Sequence, residues 1–317
     1  MTALQRKTSQ CDFCEPAVLH CIAVRMNDIR AMETIASLFI AHQGKCSDKW
    51  ENYLDIYEAE FARFRQRTAP VAMLEIGVQD GGSLEIWQKA MPAGSRITGI
   101  DVDPRVASLR YAPGIEVLVG DGTDPSALQA MLRERQFDVV IDDGSHQSRD
   151  VIATFEAIFP RLHPGGLYVI EDTACSYWDE YGGGLRRQGA SVEWLKRLVD
   201  AIHADSWRRA APDMLDLNLR DTYAAYVERV AFFEGITIVS KRRIPKRSPW
   251  RRTMTGGQSS HSGHIGWMAT DFPKSPDRFR LGEAFAREVI LEISRRQAQA
   301  IEPPADPIGP ATPPTEP

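Results

Sequence analysis

Two rhythms of apolar residues alternate along the chain. Continuous apolar runs, VAMLEIG (71–77), RITGID (96–101), IEVLVGD (115–121), FDVVIDD (137–143) and GLYVIED (166–172), read as short strands buried on both faces. The stretches between them space their apolar residues for helices, as with Leu84, Trp87 and Met91 after the first run. Strand alternating with helix predicts an α/β fold around a mostly parallel sheet. Punctuation supports the pattern: Gly77 and Gly81-Gly82 frame a turn into a helix capped by Ser83, and Asp124-Pro125 cap another. Gly144-Ser145 open a third, and Pro164-Gly165-Gly166 turn the chain into the last strand.

The flanks follow other patterns. Asn27 to His42 places Ile29, Met32, Ile35 and Phe39 at helical spacing, with Gly44 as the stop. Asp48-Lys49-Trp50-Glu51 reads as a capping box opening a helix striped by Leu54, Tyr57, Phe61 and Phe64. Both helices are expected to pack on the core or on a subunit neighbour. Beyond the last run, a glycine-rich loop (181–184) leads to an amphipathic helix carrying Trp194, Leu195, Leu198 and Ile202. ERVAFFEGITIVSKR then reads as a hairpin turning at Glu234-Gly235, which adds an antiparallel strand to the sheet. Pro276 to Ala300 reads as a charged helix, and Ile301 to Pro317 as a proline-rich, disordered tail. The expected organisation is an N-terminal segment (1–44), a sheet domain (45–243), a C-terminal extension (244–300) and the tail (301–317).

The chemistry gathers where the runs end. The fourth run closes on Asp142 and Asp143 and the fifth on Glu171 and Asp172. Parallel strands would bring these carboxylates to the rim where α/β sheets bind ligands. Carboxylates so close raise one another's pKa unless a cation joins them, and an all-oxygen set suits a hard ion such as Mg²⁺. His146 lies three residues past Asp143; on the first turn of a helix it would face the same rim, as a general base. Asp101 stands about twenty-four residues after Gly77, where nucleoside-binding sheets place the acid that holds the ribose. The glycine spacing, G-x-x-x-G-G, departs from the dinucleotide fingerprint, and a closing hairpin is foreign to a dehydrogenase half-sheet.

Composition narrows the class. A net charge of −5 argues against nucleic acid as the main partner. The basic run KRRIPKRSPWRR (241–252) is then read as a solvated loop, and His261 and His264 beyond it are assigned no metal. No uncharged run approaches the roughly 18 residues of a membrane span, and the N-terminus lacks a signal pattern, so a cytoplasmic protein is expected. Cys11, Cys14, His20 and Cys21 lack the second pair of a zinc ribbon and are read as free thiols. Met26 and Met32 are alternative starts, which would leave the first residues outside the fold.

LEIGVQDGGSLEIW, GIDVDP, VIDDGSH and PGGLYVIEDT together resemble the class I S-adenosylmethionine-dependent methyltransferases, and among them the Mg²⁺-dependent macrolide-sugar O-methyltransferases of mycinamicin and tylosin type. The likeness covers roughly residues 47–243. It implies a Rossmann-like doubly wound sheet and an O-methyltransferase acting on a hydroxyl of a glycosylated natural product, in antibiotic tailoring, as a homo-oligomer. It further implies that Glu75, Gly77 and Gly81 shape the methionine side of the cofactor pocket, with Ser83 also among the cofactor-binding residues. Asp101 would hold the ribose, Asp121 and Gly122 would border the adenine, and Asp142 would face the cofactor. Asp143, Glu171 and Asp172 would ligate Mg²⁺, with His146 as the base. Two alternatives stay open: a tailoring hydroxylase-like enzyme on the same scaffold, and a non-catalytic nucleoside-binding module.

Overall fold

The computed structural model describes residues 33–207 and 216–247. The N-terminal cysteines, the two alternative start methionines, His261, His264, the helix expected at 276–300 and the tail lie outside them. The chain divides into two compact units. The first holds the described residues up to Leu195 together with Arg229–Arg243; the second holds the described residues of Lys196–Glu228 and those from Ile244 to Arg247.

The first unit opens with helix α1 (Ile35–Ile40) and helix α2 (Glu51–Arg65). The expected capping box does not form: Trp50, not Asp48, is the N-cap of α2, and it makes no side-chain cap hydrogen bond. One face of α2 buries Tyr53, Tyr57, Phe61 and Phe64, spaced as a helical stripe. Three rings from the N-terminal helices, Phe39, Tyr57 and Phe61, meet Trp87 edge-on at centroid distances of 5.4, 5.0 and 5.7 Å. Trp87 sits on helix α3 (Gly82–Ala90), so this aromatic cluster ties all three helices together. Each such ring contributes roughly 1.5–3 kcal/mol by leaving water.

The five apolar runs form strands β1 (Ala72–Ile76), β2 (Arg96–Asp101), β3 (Ile115–Val119), β4 (Phe137–Asp142) and β5 (Leu162–Ile170). Helices α4 (Pro125–Leu132) and α5 (Ser148–Ile158) connect them. Asp124 caps α4 as expected, accepting from the Ser126 and Ala127 amides. After helix α6 (Ser191–Ile202) and helix α7 (Leu217–Tyr223) come β6 (Val227–Phe232) and β7 (Thr237–Lys241). The sheet order is β3-β2-β1-β4-β5-β7-β6. The first five strands run parallel, and β7 pairs antiparallel with β5. This is the mixed, Rossmann-like sheet that the sequence pattern predicts.

Two expectations need correction. Pro164-Gly165-Gly166 is not a turn before β5 but an irregularity within it: Phe137 pairs with Leu162 and Val139 with Leu167, so β5 bulges there, with Gly165 at φ 80°. Ser83 does not cap α3; Gly81, in the left-handed region, occupies that position. The register places Ile76 beside Asp142, and Asp142 beside Ile170. The segments just past β1, β4 and β5 therefore share one rim, at the point where strand order reverses between β1 and β4. No helix of the described residues is long and apolar enough to cross a membrane.

Candidate active site

A cleft of about 880 Å³ opens along that rim. Its walls include Gly77, Ser83, Asp101, Asp121, Gly122, Asp142, Asp143, His146 and Asp172, all expected from the sequence to serve the site. Glu75, Gly81 and Glu171, expected there too, do not line it. Glu75 lies fully buried behind Ser83 and Lys49, accepting from the Ser83 hydroxyl at 2.9 Å. Gly81 shapes the turn into α3. Gly77, at φ 91°, packs so closely on the next loop that a Cβ would collide with the Asp143 carbonyl.

One end of the cleft is built from backbone held by acids. Asp101 accepts from the Val78 and Gln79 amides through Oδ2, at 2.8 and 3.0 Å, and from the Asp103 amide through Oδ1 at 2.9 Å. It thereby fixes the loops after β1 and β2 while Oδ1 keeps acceptor capacity. Asp121 is bonded to Thr123, whose amide and hydroxyl hold its pKa below the ordinary value. Burial pushes the Asp142 pKa up to about 7, against the Tyr168 hydroxyl that donates to its Oδ2. Ser47, on the cleft wall, has a buried hydroxyl with no hydrogen-bond partner among the described residues. A polar ligand in the cleft would satisfy it.

At the other end, two groups of possible ligands meet at Asp143. Asp143, His146 and Asp172 form one, and Glu75, Asp143 and Glu171 the other; in each, the ligand atoms lie within 4.8 Å of one another. His146 Nε2 stands 3.9 Å from Asp143 Oδ1 and 3.6 Å from Asp172 Oδ2. His146 is not on the helix expected to carry it: α5 starts at Ser148, and the imidazole reaches the rim from a loop residue at φ 56°. Asp172 is left-handed too, at φ 50°. Such backbone costs about 1–3 kcal/mol per residue and gathers at functional sites, although Asp and His tolerate it better than most.

The second group encloses a cation that sequence reasoning missed. Lys49, its side chain 3% exposed, bridges Glu171 Oε1 at 2.8 Å, Glu75 Oε1 at 3.4 Å and Asp143 Oδ2. Burial works against its charge, but Glu171, Glu75 and Asp143 together hold its pKa well above the ordinary lysine value. Burial likewise raises Glu75 and Glu171, and Lys49 pulls both back. Tyr57 donates to Glu171 Oε1, while Trp50 and Tyr53 bond Asp172. The signal was present: Lys49 lies four residues before Tyr53, which with Tyr57 stands on one face of α2, so the residue just ahead of the helix continues that spacing.

Residues 74–173 match a family described as a methyltransferase domain. Fold, cleft and family match together show a methyltransferase domain. The chain is 38% identical over 197 residues to the 8-demethyl-8-alpha-L-rhamnosyl tetracenomycin-C 2'-O-methyltransferase of Streptomyces olivaceus, covering 59% of this chain and 50% of that protein. It is 38% identical over 194 residues to the mycinamicin VI 2''-O-methyltransferase of Micromonospora griseorubida, covering 56% and 46%. The chain thus spans about half the length of the curated relatives it matches. Among solved structures, MycE methyltransferase from the mycinamicin biosynthetic pathway, in complex with Mg and SAH, superposes with a TM-score of 0.57 at 28% identity. That match covers 72% of this chain and 61% of MycE.

Proposed function

We propose that this protein is an S-adenosylmethionine- and Mg²⁺-dependent O-methyltransferase acting on a hydroxyl of a glycosylated small molecule. The observation that carries the reading is the convergence of His146 Nε2, Asp143 Oδ1 and Asp172 Oδ2 at the edge of the cleft. The relatives support the substrate class, being named for O-methylation of a rhamnosyl tetracenomycin and of mycinamicin VI, and none is named for hydroxylation. In this reading residues 45–243 form the methyltransferase domain, with 1–44 before it and 244–300 and 301–317 after it. The protein works in the cytoplasm as a homo-oligomer, with neither nucleic acid nor membrane as partner.

The residues present fit both groups that the reading needs. Asp143 and Asp172 would hold the ion beside His146, and Glu171 shares Asp143 with them. Gly77, Ser83, Asp101, Asp121, Gly122 and Asp142 would surround the cosubstrate. When bound, the ion supplies Lewis acidity toward an alcohol oxygen and the cosubstrate a methyl group on a good leaving group. The chain's own part is to orient and to move a proton. His146 accepts the acceptor hydroxyl proton at Nε2, and the Asp143 and Asp172 carboxylates stabilise the imidazolium that results. Tyr181, its ring 6.5 Å from that of His146, and Trp178 beside it wall the acceptor side. General-base help is worth ~10²- to 10⁴-fold, and holding two reactants in line up to ~7–11 kcal/mol.

The test is His146→Ala with labelled S-adenosylmethionine and a panel of glycosylated polyketides and simple phenols. The variant is expected to keep cosubstrate affinity by calorimetry and to lose turnover by about a hundredfold or more. Unchanged turnover removes His146 from the reaction, and an unaltered protein that methylates no glycoside refutes the function.

A further inference from the structure

The sequence pattern gives α2 only a packing role, yet its first turn reaches the rim. Trp50 Nε1 donates to Asp172 Oδ1 at 3.0 Å, and the Tyr53 hydroxyl lies 2.8 Å from the same oxygen. The Asp172 amide donates back to the Tyr53 oxygen at 3.2 Å. The Tyr53 proton also has the Gly235 carbonyl at 2.6 Å, and that carbonyl accepts the Thr173 amide at 2.9 Å. Asn52 adds a bond from the same turn of α2 to the Glu234 carbonyl at 2.9 Å. The residues after β5 are therefore gripped between α2 and the β6–β7 turn.

Gly235 makes the grip possible. It sits at φ 76°, and a Cβ there would come within 2.5 Å of the Tyr53 hydroxyl. The grip has a directional result. With Oδ1 taken by two donors, it is Oδ2 of Asp172 that faces His146 Nε2, at 3.6 Å. A left-handed aspartate without these bonds would be free to turn its carboxylate or relax its backbone.

We propose that Trp50 and Tyr53 are positioning residues for the reaction: they pin one oxygen of Asp172 so that the other is presented to the ion and to His146. The proposal rests on the methyltransferase reading and adds two residues to it. Neither touches the reacting atoms. Partners that orient a metal ligand typically affect metal affinity by ~10- to 100-fold when removed.

The experiment uses the full chain and Mn²⁺ as the probe, with free Mn²⁺ followed by electron paramagnetic resonance. Trp50→Phe removes the indole N–H from a residue that is 66% exposed, so little packing is lost with it. Tyr53→Phe removes only the hydroxyl. Each variant is expected to weaken Mn²⁺ binding by about tenfold or more, to lower kcat, and to leave the S-adenosylmethionine KM within about twofold. In chelator the Trp50→Phe melting temperature is expected to match that of the unaltered protein. Unaltered protein that binds Mn²⁺, with Trp50→Phe binding it equally well, overturns the positioning role and leaves the methyltransferase reading standing. Unaltered protein that binds no Mn²⁺ overturns both.

Discussion

Replacing Lys49 by Met would remove the positive charge that the buried end of the site is built around. Glu75 is fully buried and Glu171 nearly so, and Lys49 is the cation that meets both among the described residues. Breaking a buried ion pair by deleting one partner costs about 3–5 kcal/mol, because the remaining charge is left uncompensated. For a folded unit of this size each kcal/mol lowers the melting temperature by roughly 2–4 °C. Calorimetry in chelator is therefore expected to show a fall of about 6–20 °C at pH 8. The pH dependence carries the sharper test. In the unaltered protein the raised Lys49 pKa keeps its contribution complete at every pH below the ordinary lysine value, and it is lost only as the pH rises through the still higher folded one. In the variant, Glu75 and Glu171 keep the upward push of burial without the opposing lysine, so the folded state takes up protons as pH falls. Protonated, they need no counter-charge, and the deficit should shrink between pH 8 and pH 5.5. A fall under about 2 °C, or a deficit equal at both pH values, would refute the reasoning.

Two further perturbations probe the rest of the rim. Gly77→Ala forces a side chain into left-handed backbone, at about 1–2 kcal/mol, and against the Asp143 carbonyl; urea unfolding should show a larger loss than that, and calorimetry loss of S-adenosylmethionine binding, whereas a neutral substitution would mean that the close approach is not needed. Asp142, with its pKa raised to about 7, binds a proton in the folded state that the unfolded chain releases at lower pH, so its contribution falls as pH rises from about 4 to 7. Asp142→Asn removes that slope; its stability relative to the unaltered protein should rise across the window by up to about 4 kcal/mol, and a flat difference would contradict the buried, proton-binding carboxyl.

How much was legible in the sequence depended on how local the cause was. Strands β1, β2, β4 and β5 announced themselves because residues buried on both faces must be continuously apolar, and the acids at their ends followed from the same runs; β3, read as buried in the same way, is instead a half-exposed edge strand. The hairpin closing the sheet was legible from its turn residues. The bulge in β5 was not: Pro164-Gly165-Gly166 suits a turn and a bulge equally, and only the pairing with β4 decides. Clustered carboxylates require a cation, and sequence alone points to a metal for that role. Lys49, which also fills it, lies before β1 and is brought to the rim only by tertiary packing of α2. Asp48 to Glu51 satisfied a capping pattern, yet Lys49 turns inward to Glu171 and Trp50 serves as the cap. Similarly, His146 faces Asp143 and Asp172 from left-handed backbone rather than from the helical face expected of it.

The central claim is that the acids at the tips of β4 and β5 act through a divalent ion to ready a hydroxyl for methylation. The most direct measurement is transfer of labelled methyl from S-adenosylmethionine to a glycoside by the full chain, in chelator and then with Mg²⁺ restored. The account predicts that transfer stops in chelator and resumes with Mg²⁺ while the cosubstrate stays bound throughout. Transfer at the full rate in excess chelator would contradict it.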